Sequence, residues 1–294
     1  MHVDPRDLKG DGPPPAQGDR TILLVFGLLV AGLFGAEVLR DFTPAKSAVF
    51  FFLIAWFPLT ALHEAGHAWV ARLFGWRVFE VVVGFGRVVK RWQWGSTRVE
   101  LRTFPLGGYV VPVPRERTGA RLASFFIYAA GPGIEILLVV LIGGVIGFDT
   151  LTSPSTSVGI IALQAISAAA LTGAITNLLP MTTPEGWTDG RGMLMSPFLD
   201  ERHFDRQMAS PYLIEGERRL EGGAAAPALD VFESGLERYP GVVMLHLGRA
   251  KALIALERRA EALMYLQAAA TDGSRDARFR AEMEILLKAL RAEG

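Results

Sequence analysis

Four long apolar segments occupy the first two thirds of the chain. They run from Thr21 to about Leu39, from about Ala48 to Leu73, from about Leu122 to Phe148, and from about Val158 to Leu179. An α-helix rises about 1.5 Å per residue, so about 20 apolar residues are enough to cross a bilayer. The pattern therefore predicts four transmembrane helices. Buried helices of a soluble protein are the alternative interpretation.

The first 20 residues have a different character. They mix charged residues with Pro and Gly and contain no apolar run. This composition predicts a flexible tail, and it lacks the basic start of a secretory signal. The apolar segment that follows is longer than the core of a usual signal, which favours an uncleaved membrane anchor.

The loop between the second and third apolar segments is strongly basic. It contains or borders Arg72, Arg77, Arg87, Lys90, Arg91, Arg98, Arg102, Arg115, Arg117 and Arg121, against the acidic Glu80, Glu100 and Glu116. The next loop carries Asp149 and no basic residue. Basic loops stay on the cytoplasmic side, so four spans would leave both termini in the cytoplasm. We expect an integral membrane protein of a bacterial cell membrane.

The same basic loop shows strand patterns. Charged and apolar residues alternate from Thr97 to Phe104, with a period of two. The stretches Trp76 to Val83 and Arg87 to Trp94 are rich in Val, Phe and Trp, and Gly95-Ser96 can form a tight turn. We predict a small antiparallel sheet at the membrane face, where Trp side chains suit the interface.

After Pro197 the chain becomes charged, Ala-rich and helical in pattern. Small and aromatic residues recur with a loose period of about 34 residues, as in tetratricopeptide repeats. This predicts two helical hairpins and a final helix from Asp276 to Arg291. An ordinary helical bundle is the alternative. The predicted domains are a tail (1–20), a membrane-embedded domain (21–200) and a helical repeat domain (201–294).

The composition supports this fold class, a mainly α polytopic membrane protein with a small sheet and a C-terminal helical repeat domain. Half of the 294 residues are hydrophobic, only 20% are charged, and the mean hydropathy is +0.30. The 30 basic and 30 acidic residues cancel, so bulk charge does not predict a nucleic-acid partner. There is no cysteine, so a metal ion would need His, Asp or Glu ligands.

The second apolar segment contains the motif His63-Glu64-Ala65-Gly66-His67. Residues four apart share one face of a helix, so both imidazoles can reach one cation. Glu64 is adjacent and can act as general base toward an attacking water. Because polar residues are costly inside a membrane helix, those that occur there usually have a function. The alternative is a set of buried polar residues that only bond one another.

In this setting the motif resembles the site-2 protease family of intramembrane zinc metalloproteases. The resemblance extends, in the family's order, to residues 104–110 (FPLGGYV), 130–133 (AGPG), 177–180 (NLLP) and 189–191 (DGR). It implies that His63, His67 and Asp189 bind Zn²⁺ and that Glu64 is the general base. It also implies that Asn177 orients the substrate or stabilises developing charge; a helix-end cap is the alternative.

The chain departs from the family's pattern at two positions. The family usually has its aspartate about eight residues after the Asn, where this chain has Glu185; Asp189 is favoured because Asp-Gly-Arg matches the family's context better. Glu135 stands where the family commonly has Asn. Its carboxylate can face the active site or neutralise an arginine.

The predicted function is hydrolysis of peptide bonds in or near transmembrane segments of membrane-protein substrates. The expected partners are the substrate, the lipid bilayer and a protein bound by the C-terminal domain, with no nucleic acid. The alternatives are a membrane zinc protease of another HExxH family and a catalytically silent adaptor acting through its helical repeats.

Overall fold

The structure is a computed structural model, which describes Gly35, Arg40 and residues 43–183 and 186–292. The described residues form two compact units, one that ends at Asp200 and one that covers residues 201–292. The predicted tail and almost all of the first predicted span, Thr21 to Leu39, lie outside the described residues. The prediction of a fourth membrane helix therefore stays a prediction.

Three helices of the first unit are long and apolar enough to span a membrane. They are α1 (Ser47–Leu73), preceded by a 3-10 turn (Pro44–Lys46), α2 (Ala120–Ile146) and α4 (Val158–Leu178). The sequence placed the second, third and fourth segments within a few residues of these bounds. A short helix, α3 (Phe148–Thr152), joins α2 to α4.

The three spans pack against one another through small side chains. Ala55, Ala169 and Ala170 form a buried cluster with Leu59 and Val139. Large apolar side chains point outward instead, and Val145 is 85% exposed. Small residues let membrane helices approach closely, and outward apolar side chains suit lipid. The side-chain packing of the first unit is therefore that expected of a membrane protein.

Helices α1 and α2 approach each other closely at Gly66. A Cβ atom placed at Gly66 would lie 2.8 Å from the carbonyl oxygen of Ala130 and 3.1 Å from Cγ2 of Ile134. Any side chain at this position would push α2 away from α1. This close approach fixes the position of α2 relative to the HEAGH motif on α1.

The basic loop folds into two long antiparallel strands, β1 (Arg77–Trp94) and β2 (Thr97–Val113). The small antiparallel sheet predicted from the sequence is confirmed, and the three predicted strands lie within β1 and β2 to within one residue. The first two predicted strands are one continuous β1, and β2 runs nine residues beyond Phe104, through the FPLGGYV motif. The tight turn at Gly95-Ser96 is confirmed.

Part of β1 lies in the middle of this sheet. Val81 is opposite both Val110 and Val99, and Val82 is opposite both Tyr109 and Glu100. The segment 80–83 is therefore flanked on both sides by parts of β2. Thr97 ties the sheet to α1, because its hydroxyl accepts from Arg72 Nη2 at 3.0 Å and donates to the carbonyl of Val78 at 2.7 Å.

A short segment follows α4 and returns the chain to the helices. It contains two-residue strands β3 (Thr182–Thr183) and β4 (Gly186–Trp187) and then helix α5 (Asp189–Met195), which ends in a 3-10 turn (Ser196–Phe198). Helix α5 packs against α2 and α4. This packing carries the first residue of α5 into the space between the spans.

The second unit contains five helices. They are α6 (Glu201–Glu221), α7 (Ala225–Arg238), α8 (Val243–Ala255), α9 (Arg259–Thr271) and α10 (Ala277–Ala292). Successive helices pack on each other around buried Phe232, Leu245, Leu253, Met283 and Leu286. The final helix lies within a residue of its predicted bounds. The helical character is confirmed, and the tetratricopeptide assignment stays a prediction.

Candidate metal centre

The HEAGH motif lies inside α1, and its three polar side chains are buried. His63, Glu64 and His67 are 6%, 5% and 7% exposed. The two imidazole rings stand one helical turn apart, with their centroids 4.8 Å from each other. The helical register predicted from the sequence therefore brings both rings to one face.

Asp189 meets these rings from a distant part of the chain. Its Oδ2 lies 3.0 Å from Nε2 of His63, and its Oδ1 lies 3.3 Å from Nε2 of His67. Burial alone would raise the pKa of the Asp189 carboxyl, but the two imidazoles outweigh burial and hold this pKa below its usual value.

Local packing explains why Asp189 is followed by glycine. A Cβ atom at Gly190 would overlap the carbonyl of Leu178, the last residue of α4. A Cβ atom at Gly192, two residues further, would lie 2.5 Å from the ring of Tyr128 on α2. The first turn of α5 can therefore approach α4 and α2 only because these two residues lack side chains.

The three side chains fit a divalent metal ion. One ligand atom from each of His63, His67 and Asp189 lies within 4.8 Å of the others. Ligands held at 2.0–2.1 Å in a tetrahedron stand about 3.3 Å apart, close to the observed 3.0 and 3.3 Å. Among the described residues, this is the one group of at least three His, Asp or Glu with such spacing.

The imidazole of His67 is oriented for binding through Nε2. Its Nδ1 lies 2.6 Å from the backbone carbonyl of Ile127 on α2. A carbonyl oxygen only accepts hydrogen bonds, so Nδ1 carries the proton. In the neutral imidazole, which is the form that binds a metal, the lone pair is then on Nε2, which faces Asp189.

Space for the ion depends on Gly131, which belongs to the AGPG motif and had no predicted role of its own. A Cβ atom at Gly131 on α2 would overlap Nε2 of both His63 and His67. The absence of a side chain there leaves the two nitrogens room to share a ligand. The sequence feature that could have indicated this role is the glycine directly before Pro132.

Glu64 lies on the other side of the motif, against the sheet. A Cβ atom at Gly108 of β2 would lie 2.9 Å from both Cγ and Oε1 of Glu64. The backbone of β2 thus passes directly over this carboxylate. Because Gly108 has no side chain, the strand backbone can approach the carboxylate this closely.

The remaining sequence candidates fall in different places. Glu135 is 3% exposed, and its Oε2 lies 3.1 Å from Nδ1 of His63. It therefore faces the site, as one of the two expectations had it. The amide of Asn177 donates to the carbonyl of Gly173 within α4, at 3.1 Å. Glu185 lies outside the described residues.

Comparison with known proteins agrees with this geometry. The model of Peptidase family M50 matches residues 51–264, which is more than half of the chain. The chain belongs to Peptidase family M50. This M50 chain is 33% identical to zinc metalloprotease Rip1 of Mycobacterium tuberculosis over 133 residues, covering 38% of the chain and 32% of the relative.

A second relative shows the same extent of similarity. The M50 chain is 31% identical to zinc metalloprotease Rip1 of Mycolicibacterium smegmatis over 132 residues, covering 36% of the chain and 32% of the relative. The chain thus spans about a third of the length of these curated relatives. The family match supports the site-2 protease resemblance, and it disfavours a zinc protease of another HExxH family.

Proposed function

We propose that this protein is an intramembrane zinc endopeptidase that cuts peptide bonds in or near transmembrane segments of other membrane proteins. The observation that carries the proposal is the convergence of His63, His67 and Asp189 beside Glu64, among helices suited to a membrane. Three protein ligands with a fourth position open are typical of catalytic zinc, since structural zinc usually has four protein ligands.

Each residue then has a defined task. His63, His67 and Asp189 would hold the ion, which when bound supplies a Lewis acid that polarises the scissile carbonyl. Glu64 accepts a proton from the water that attacks the carbonyl carbon. The C–O bond forms, the C–N bond breaks, and Glu64 passes the proton to the departing amine.

The sheet offers a way to present the substrate. The peptide bonds of a transmembrane helix are protected by hydrogen bonds, so the helix has to unwind locally before attack. The segment 108–113 of β2 pairs with residues 77–83 of β1 and, within the described residues, with no other strand. We propose that an unwound substrate pairs along the free edge of this segment, close to Glu64.

The apolar helix surfaces and the position of the basic residues also support a cellular location for the protein. The exposed apolar faces of α1, α2 and α4 support insertion in a bilayer, and the relatives above come from bacteria. We propose a bacterial cell membrane with the basic sheet and both termini in the cytoplasm, because the basic residues between α1 and α2 favour that side.

Removal of zinc is expected to stop cleavage reversibly. The purified full-length protein in lipid nanodiscs would be mixed with a tagged single-span membrane protein, and fragments would be identified by mass spectrometry. Dialysis against a chelator should abolish cleavage, and stoichiometric Zn²⁺ should restore it, because the ligands remain in place. Mg²⁺ is the matched control and should not restore cleavage, since it prefers six oxygen ligands.

A catalytically silent adaptor is the outcome that would contradict the proposal. In that case the purified protein would contain no zinc, and every fragment would persist at the same level after chelation. A contaminating protease is distinguished by the variants described in the Discussion, because it would be insensitive to substitutions in this chain.

We further propose that the C-terminal unit is a tetratricopeptide-like domain that binds a protein. Its stacked helices offer a surface of the kind such repeats use for peptides. Ending the chain at Asp200 separates two roles. Loss of cleavage would indicate that the unit recruits substrate, and increased cleavage would indicate that it restrains the protease. Unchanged cleavage of several reporters would contradict both, provided that the shortened protein retains zinc.

A further inference from the structure

The second ring nitrogen of His63 faces a carboxylate. Nδ1 of His63 lies 3.1 Å from Oε2 of Glu135. Both atoms are buried, and neither forms a hydrogen bond within the described part of the chain, so this is a close contact between two otherwise unpartnered polar atoms. Among the ion pairs of the described residues, Glu135 takes part only in this one. The alternative that it neutralises an arginine therefore has no support.

One face of α2 contacts both imidazole rings. Ile127, Gly131 and Glu135 are spaced by four residues, so they lie on one face of the helix. Ile127 faces His67 through its carbonyl, Glu135 faces His63, and Gly131 between them leaves room for both Nε2 atoms. The groups that face the two Nδ1 atoms thus stand eight residues apart on α2, twice the separation of the two histidines on α1, and Gly131 lies midway between them.

Helix α4 makes room for the carboxylate from the opposite side. A Cβ atom at Gly173 would lie 2.7 Å from Oε1 of Glu135. The glutamate is thus enclosed between a histidine and a glycine. A buried carboxylate in a dry site is costly to desolvate, and its retention here needs a compensating interaction.

We propose that Glu135 is a positioning residue that fixes the tautomer and orientation of His63 for metal binding. A carboxylate beside Nδ1 keeps the proton on that nitrogen and leaves the lone pair of Nε2 for the ion. Its negative charge also makes the imidazole a stronger ligand than a neutral partner would. This inference rests on the proposed metal site and identifies a residue outside the ligand set.

The two histidines then differ in the partner of Nδ1. His67 has a neutral backbone carbonyl, whereas His63 has an anionic carboxylate. This chain has therefore placed an additional negative charge behind one ligand.

Zinc affinity of substituted proteins tests this role without relying on cleavage. The full-length wild type and the Glu135→Ala and Glu135→Gln variants would compete for Zn²⁺ with a chromophoric chelator. Loss of such a partner typically costs about 10–100-fold in metal affinity. We expect Glu135→Ala to fall in that range. Glu135→Gln should lose less, about tenfold, because its amide oxygen still accepts from Nδ1 while the charge is gone.

The matched control is Glu100→Gln. Glu100 is equally buried, but its carboxylate accepts from Arg91 and Arg102 in the sheet. Its loss should leave zinc affinity unchanged. Cobalt substitution adds a second readout, because the visible spectrum of bound Co²⁺ should shift in both Glu135 variants and not in Glu100→Gln.

Zinc affinity within about threefold of wild type for both Glu135 variants, with unchanged cobalt spectra, would overturn the inference. If Glu135→Ala does not fold, the near-isosteric Glu135→Gln decides alone. Failure of the proposed function is distinguishable. A wild type that binds zinc but never cleaves leaves the role of Glu135 standing, whereas cleavage by wild type with indifferent Glu135 variants refutes this role only.

Discussion

Replacement of Glu64 by Gln is expected to abolish peptide hydrolysis while zinc stays bound. General acid–base catalysis contributes about 10²–10⁴-fold, and the amide of Gln cannot accept the proton of the attacking water. Gln keeps the volume of Glu, so the packing under Gly108 should be preserved. The measurement is the rate of fragment release from the single-span reporter, together with zinc content by elemental analysis.

Two results would contradict this assignment. Fragment release at the wild-type rate would remove Glu64 from the chemistry. Loss of zinc together with activity would instead make Glu64 part of the ligand set, in conflict with its position against the sheet. Glu116→Gln is the control, since that residue is exposed in the loop before α2.

Replacement of Asp189 by Ala is expected to remove one of three protein ligands and to weaken zinc binding more strongly than any other single change outside the two histidines. We expect a loss of at least about 100-fold in zinc affinity, and no detectable cleavage. The measurement is the chelator competition used for Glu135, followed by the cleavage assay at saturating zinc.

Glu185→Ala is the matched control, because the two acids are four residues apart and the sequence alone left both open as the third ligand. It should bind zinc as tightly as wild type. The reverse pattern, with zinc lost in Glu185→Ala and kept in Asp189→Ala, would transfer the ligand role to Glu185. Retention of zinc by both single variants would refute a third ligand from this segment.

Much of the candidate site was predictable because its parts are local. The spacing of His63 and His67 fixes them on one face of a helix, and long apolar runs fix the spans. The convergence of Asp189 with His63 joins residues 126 positions apart. Periodicity within one segment contains no information on such a contact, and only the resemblance to a family indicated it.

Other features were missed for physical reasons. The orientation of Glu135 depends on which face of α2 meets α1, and an almost wholly apolar helix has little amphipathic pattern to show it. Gly84 and Gly86 lie between the predicted strands 76–83 and 87–94, which β1 joins into one strand. Both adopt positive φ, 87° and 91°, yet the strand continues through them.

The extent of β2 was missed for a related reason. Pro105, Gly107 and Gly108 weaken any strand prediction after Phe104, because Pro lacks a donor and Gly favours bends. The chain nevertheless pairs on to Val113, since its partner segment in β1 lies at the centre of the sheet. Tertiary context here outweighs local propensity.

The contact between α1 and α2 has a consequence for how a substrate helix reaches the catalytic groups. At Gly66 of α1 and Gly131 of α2 there is no room for a further side chain between the two helices, and α2 contacts Nδ1 of both imidazoles. Separation of these two helices would break the contacts of both imidazole rings with α2 at the same time, and the metal ion would be lost. We therefore expect the substrate to enter by a route other than between α1 and α2. The strand segment at Gly108, next to Glu64, marks the side from which we expect the scissile bond to approach.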